Sequence, residues 1–384
     1  MYGIQPARLV TLLIASLSLA AASGCGNESG GTSGPYPRDN ELRLNQIQVL
    51  GSHNSYHIQP QGRLARALPI AEWQFTHLPL DQQFETQGIR QIEIDVYADP
   101  EGGKYAHPIG ATRFHDEFDV PEMALPGFKV MHVQDLDFRS TCYTFVSCMQ
   151  AVKAWSDLHP LHVPITILIE AKDDVPVQLP GIDLTVPVPF DSAQFDALDA
   201  EIRSVFPPEQ ILTPDEVRGS HATLEEAVLT DGWPTLGSLR GRVLFLLDNG
   251  GAIKEAYIRN HPSLRGRILF TDSGPGEPEA AFLKLNDPAD DQDRIRAAVE
   301  QGFIVRTRAD SDTHEARSGD TTNRDLAIAS GAQFVSTDYP VPDPELATGY
   351  LVQIPGGQPG RCNPLTAPSD CLPTDIENPA ALQP

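Results

Sequence analysis

The stretch QVLGSHNSYHIQP, Gln48 to Pro60, runs from a short apolar segment into a polar cluster of two histidines, an asparagine, two serines and a tyrosine. An apolar run that stops at Gly51 has the pattern of a strand buried in a parallel sheet, so its first polar residues emerge at the strand's carboxyl end. In open α/β sheets and α/β barrels, that end is where active sites are built. Taken alone, the cluster reads better as a polar loop with incidental histidines. What the other strand ends carry decides between the two.

Seven further runs have the same apolar character: QIEIDVY, KVMHVQ, ITILIEA, RVLFLLDN, RILFTDS, FIVRTRA and AQFVSTD. Helix-like segments precede several of them, among them DSAQFDALDAEIRSVF and DDQDRIRAAVEQG with its terminal glycine. Repeated strand and helix alternation over roughly 300 residues is the signature of an α/β fold of the (β/α)8 TIM barrel type. The order is irregular, because residues 97–127 and PVQLPGIDLTVPVPF are long Pro/Gly-rich connections suited to a barrel rim. A single catalytic domain is expected over 41–345, followed by a Pro-rich tail, 346–384, wrapped on the surface.

With 384 residues and 40% hydrophobic content, the chain can bury a sizeable core. A net charge of -24 and no basic stripe exclude a nucleic-acid partner. The same charge repels anionic lipid surfaces, so a lipid substrate requires an anchor, a local patch or a bound cation. The N-terminus supplies a candidate anchor. Arg8 precedes the apolar LVTLLIASLSLAAA, which is short for a membrane span, and small residues lead to Cys25. Residues 1–24 read as an export signal, AASGC resembles a bacterial lipoprotein box with Cys25 as the lipidated residue, and 25–40 form a Gly/Ser-rich tether. Setting Cys25 aside leaves Cys142, Cys148, Cys362 and Cys371 as two close pairs in an exported chain. The disulfides Cys142–Cys148 and Cys362–Cys371 are expected, since neither pair has zinc-like spacing or a neighbouring histidine.

The strand ends carry ionisable groups in succession: His53 and Asn54, then Glu93 and Asp95, then His132, then Glu170 and Lys172. Alternate residues of a strand point to one side, so Glu93 with Asp95, and Glu170 with Lys172, can face the barrel axis together. A bland account pairs each with a partner: Glu170 with Lys172, the acids of the second strand with arginines, and His132 with the core. Four successive strands delivering such groups to one barrel end weigh against coincidence. Asn54, Glu93, Asp95 and Glu170 make an all-oxygen set that suits calcium or magnesium, with places left for substrate and water. His53 and His132 remain free for general acid and base work in phosphoryl transfer, with the cation offsetting phosphate charge.

GSHNSYH, EIDVY, MHVQD and IEAK, in this order and spacing, resemble the catalytic half of the phosphatidylinositol-specific phospholipase C superfamily, and most of all its secreted bacterial calcium-dependent branch. The similarity spans roughly Leu44 to Pro340. It implies one calcium ion held by Asn54, Glu93, Asp95 and Glu170, with His53 and His132 as catalytic histidines. Metal-independent relatives carry an arginine where the calcium sits, and the acidic residues here imply the metal-dependent form. The implied reaction is attack of the inositol 2-hydroxyl on phosphorus, giving diacylglycerol and a cyclic inositol phosphate. The resemblance makes His53 the acid on the leaving group, with His132 or a metal-bound carboxylate assisting removal of the hydroxyl proton. FIVRTRADS and GAQFVSTDYP also resemble glycerophosphodiester phosphodiesterases, which share the barrel. Lys172, Arg306, Arg308 and Tyr339 are candidates for gripping phosphate or inositol. Asp135 and Asp248 lie near strand ends without an assigned role. The partner is a phospholipid at a membrane surface, with no obligate protein partner implied. The alternatives are a glycerophosphodiester or sphingomyelin-type phosphodiesterase, and a non-catalytic surface lipoprotein that binds inositides or glycans.

Overall fold

The computed structural model describes residues 35–176, 181, 183–357 and 359–382. The export segment, Cys25 and the tether up to residue 34 lie outside the described residues. Among the described residues eleven strands follow in chain order: β1 (Ile47–Ser52), β2 (Gln91–Tyr97), β3 (Lys129–Val130), β4 (Ile165–Ala171), β5 (Ile211–Leu212), β6 (Val243–Leu247), β7 (Leu269–Thr271), β8 (Phe282–Lys284), β9 (Ile304–Arg308), β10 (Phe334–Thr337) and β11 (Gly360–Cys362). Parallel pairing runs from β10 through β1, β2, β4 and β6 to β7, and from β8 through β9 back to β10. A parallel bridge between Asp272 and Phe282 spans the remaining gap, so eight strands follow one another around an irregular barrel in sequence order.

The barrel strands are rich in Val, Ile, Leu and Phe because they are covered on both faces, by the barrel interior and by the outer helices. Every residue of β1, β2 and β6 is buried. The helix Ser192–Val205 starts where the Asp191 side chain accepts from the amides of Ala193 and Gln194, and it buries Phe195, Leu198 and Ile202. The helix Gln292–Gln301 stops at Gly302, whose φ of 104° only glycine adopts without strain. Among the described residues no helix is long and apolar enough to cross a membrane.

Two strands differ from expectation. KVMHVQ is not a barrel strand: only Lys129 and Val130 are extended, antiparallel to Tyr97 and Val96. Beyond them, Val133 and Asp137 exchange backbone hydrogen bonds around Asp135, whose φ is 70°, and the chain reverses. The eighth barrel place belongs instead to β8, three residues following a Pro/Gly-rich connection and too short to show periodicity.

Both expected disulfides are present, Cys142–Cys148 and Cys362–Cys371. The tail does more than wrap the surface. Its β11 adds antiparallel to β1, and Glu377, fully buried, receives the Arg90 guanidinium and the amide of Val163. Arg90 also lies 4.8 Å over the Trp155 ring. Removing one partner of such a buried pair typically costs about 3–5 kcal/mol, so the tail is part of the domain's stability.

Candidate active site

The carboxyl ends of the barrel strands and the loops that follow enclose a cleft of about 340 Å³, bordered by His53, Asn54, His132, Lys172, Arg308 and the ring of Trp73. His53 and Asn54 leave β1 in a tight turn. Asn54 takes φ 45°, a left-handed conformation that asparagine tolerates better than most residues. Ser52 Oγ and the Glu93 amide both donate to Ser55 Oγ, which ties this turn to β2.

The His53 ring is held on both sides. Nδ1 lies 2.8 Å from Asp338 Oδ1, at the end of β10, and Nη1 of Arg308, from β9, lies 3.4 Å from Nε2. A carboxylate only accepts and a guanidinium only donates, so His53 carries its proton on Nδ1 and offers a lone pair at Nε2. Burial, followed by Arg308, lowers the His53 pKa to about 3 despite the opposing Asp338. Burial alone would raise the Asp338 carboxyl; His53 and Arg308 outweigh it and hold it below the ordinary range. Asp310 supports the pair from behind, accepting from the Asp338 amide while its carbonyl receives Arg308 Nε.

His132 stands across the cleft on the loop after β3. Its Nδ1 lies 2.8 Å from Asp137 Oδ2, and its carbonyl accepts from the Tyr97 hydroxyl at 3.0 Å. The His132 and Trp73 rings lie nearly perpendicular with centroids 6.0 Å apart, and the Phe75 and His53 ring centroids are 6.3 Å apart. An aromatic wall therefore backs both histidines.

Glu93, Asp95 and Glu170 form the third group, with one oxygen from each within 4.8 Å of the others. Strand geometry places them: Glu93 and Asp95 alternate on β2, and Asp95 sits in register with Glu170 on β4. His53 Nε2 is 3.9 Å from Glu93 Oε1, so this set adjoins the first histidine. Both oxygens of Asp95 are buried and accept no hydrogen bond among the described residues; Lys172 Nζ approaches to 3.4 Å and lies 3.1 Å from Glu170. A buried carboxylate left unsatisfied beside two others fits a hard divalent cation; Asn54 borders the adjoining cleft, its Oδ1 accepting from the Tyr56 hydroxyl at 3.3 Å. Burial, opposed by Arg306, raises the Glu93 pKa to about 7 in the metal-free protein. A raised carboxyl is protonated below its pKa and must lose that proton to bind a cation. Calcium binding is therefore expected to release protons near neutral pH, and affinity to fall as pH drops below about 7. Calorimetry in two buffers of different ionisation enthalpy measures the release directly.

The family model described as Ca2+-dependent phosphoinositide phospholipase C matches residues 42–364. The chain belongs to this family. It is accordingly an enzyme of the phosphodiester-cleaving phospholipase C type. Among solved structures, the calcium-dependent phosphoinositol-specific phospholipase C from Pseudomonas sp. is similar at 17% identity and a TM-score of 0.53, covering 86% of this chain and 99% of that one. Its myoinositol complex gives 16% identity and 0.53, covering 85% and 97%. The Ca2+-dependent phosphatidylinositol-specific enzyme from Streptomyces antibioticus gives 18% identity and 0.49, covering 78% and 95%. The two Pseudomonas likenesses show the barrel fold. No curated protein matches the chain.

Within this phospholipase C barrel, the expected site residues divide. His53, Asn54, His132, Lys172 and Arg308 border the cleft, and the three carboxylates adjoin it. Arg306 does not reach the cleft: it is buried one layer deeper on β9, with its guanidinium donating to Glu93 and Asn286. Tyr339 is buried against Tyr350 and lines a different hollow beside Pro340 and Val341. Asp135 receives the amides of Ile109 and Thr185, which fastens the rim loops, and Asp248 pairs with Lys284. The sequence reading missed Asp338, Asp137 and Trp73. Asp338 had a visible signal, an acid directly after an apolar run, as in the strands that were read correctly. Asp137 and Trp73 lie in loops that give no periodic signal.

Proposed function

We propose that this phospholipase C cleaves phosphatidylinositol at the bond between phosphorus and the glycerol oxygen, giving diacylglycerol and a cyclic inositol phosphate. The observation that carries the reading is the pair of carboxylate-anchored histidines facing each other across one cleft, with an unsatisfied carboxylate set adjoining the first of them. Asn54, Glu93, Asp95 and Glu170 would hold one calcium ion. When bound, calcium supplies positive charge that offsets the phosphate's negative charge as it builds during transfer.

His53 takes the proton of the inositol 2-hydroxyl at Nε2 as that oxygen bonds to phosphorus, and Asp338 steadies the imidazolium that forms. His132, entering the step as the imidazolium, gives its Nε2 proton to the glycerol oxygen as that oxygen's bond to phosphorus breaks, and is left as the neutral Nδ1–H tautomer held by Asp137. This order reverses the one the family resemblance suggested. Arg308 and a cation beside Glu93 both disfavour a protonated His53, so His53 suits the base and His132 the acid. Arg308 borders the cleft beside His53 and grips a non-bridging phosphate oxygen. Lys172 moves from its carboxylate partners to do the same. Incubation with phosphatidylinositol vesicles and calcium, followed by phosphorus NMR, tests the proposal. A cyclic phosphate signal appearing with diacylglycerol supports it, and release of phosphatidic acid or free inositol instead overturns it.

The same reading places the enzyme at a membrane through a lipidated Cys25. Cys25→Ser is expected to move the protein from the detergent phase to the aqueous phase in a partition assay, with turnover of micellar substrate retained.

A further inference from the structure

His57, the second histidine of the opening stretch, has no part in the reaction just described, yet it is fully buried beside it. Each of its ring nitrogens faces an oxygen. Nδ1 is 3.0 Å from the Phe75 carbonyl, and Nε2 is 2.8 Å from Asp137 Oδ2. Neither oxygen carries a proton to give, so His57 donates at both positions. Asp137 Oδ2 is the same atom that lies 2.8 Å from His132 Nδ1. The other carboxylate oxygen, Oδ1, is buried and has no partner among the described residues. Two histidines therefore set how this carboxylate is turned, and they share one of its oxygens. The His57 ring sits edge-on to His132 with centroids 5.7 Å apart, and its backbone is pinned by hydrogen bonds to Asn54 and His77.

We infer that His57 is a positioning residue: by donating to Asp137 it fixes the oxygen that receives the Nδ1 proton of His132, and so keeps His132 Nε2 turned to the cleft for proton transfer. Without that donor, Asp137 is free to rotate its unpartnered oxygen toward His132 or away from it, and the His132 ring loses its fixed direction and tautomer. The consequence for chemistry rests on the proposed function; the consequence for the tautomer does not. In metal sites, loss of an outer partner that orients a working histidine commonly costs about 10-fold to 100-fold. A comparable loss is expected here.

The test uses the full chain with three substitutions. His57→Phe keeps the ring volume and removes both donors. It is expected to lower kcat on phosphatidylinositol by about 10-fold to 100-fold, with KM and calcium affinity within about 3-fold of the parent. His57→Gln restores a donor near the position of Nε2 and should recover most of the loss. Asp137→Asn should lose the most, near the roughly 10,000-fold seen when the equivalent exchange forces the wrong tautomer on a serine protease histidine. Nitrogen-15 NMR of histidine-labelled protein reads the neutral tautomer of His132, expected as Nδ1–H in the parent and the His57→Gln variant and displaced in the other two. Folded His57→Phe protein with parental kcat, or with an unchanged His132 tautomer, overturns the inference. If the parent itself does not turn over phosphatidylinositol, the proposed function fails, while the tautomer measurement still decides the role of His57.

Discussion

His53→Ala lowers turnover of phosphatidylinositol by about 100-fold to 10,000-fold, the range a positioned proton-transfer group supplies. The geometry argues for this size of effect because no other group can take over. Asp338, which holds Nδ1 in the parent, stays paired with Arg308, and Glu93, 3.9 Å from Nε2, belongs to the carboxylate set that a cation neutralises. The substitution leaves that set intact, so calcium affinity is expected to change by less than about 3-fold, and a fall in kcat without a matching rise in KM separates lost chemistry from lost binding. Asp338→Asn should produce a loss in the same direction, since an amide can turn its NH2 toward Nδ1 and favour the wrong tautomer of His53, besides lacking the charge that steadies the imidazolium. A His53→Ala protein with near-parental kcat would return the opening stretch to the polar loop that its residues alone suggest.

Asp95→Asn is expected to weaken calcium binding by at least about 100-fold while leaving the metal-free fold at least as stable. Outer-shell losses already reach about 100-fold, and Asp95 is a direct ligand in this account. The stability part follows from its surroundings. Burial raises the Asp95 carboxyl well above its ordinary range, against the pull of Lys172 and with Glu170 and Glu93 adding to the rise. A neutral amide removes the cost of keeping that carboxyl ionised in the interior, where Lys172 at 3.4 Å and the Tyr56 hydroxyl only partly compensate it. Calorimetric titration with calcium and a thermal melt in chelator measure the two halves separately. Activity should return in part at high calcium. A melt that drops by many degrees in chelator would mark Asp95 as a structural residue instead of a ligand.

Much of the barrel is legible in the chain because β1, β2, β4, β6, β9 and β10 are apolar runs flanked by polar turns. The misreadings share a physical cause. A period of two reports which face a residue occupies, and it is blind to a reversal such as the Val133–Asp137 turn or to a strand as short as Phe282–Lys284. The site follows the same rule. Glu93 with Asp95, and Glu170 with Lys172, show in the sequence because alternate residues share a face. Arg306 and Arg308 share a face too, yet one pairs in register with Phe334 deep in the barrel and the other with Ser336 nearer its mouth. Depth comes from register, which the sequence of a single strand does not contain. The carboxylates that steer the two histidines depend on loops and on the far end of the chain: Asp338 lies 285 residues from His53, brought beside it only by closure of the barrel between β1 and β10.

The most direct measurement is turnover of phosphatidylinositol vesicles by the purified full chain, first in excess chelator and then with calcium, magnesium or zinc restored in turn. The all-oxygen carboxylate set predicts no cleavage in chelator and recovery with calcium well ahead of zinc. Undiminished cleavage in chelator, or recovery led by zinc, would contradict a calcium ion held by Asn54, Glu93, Asp95 and Glu170.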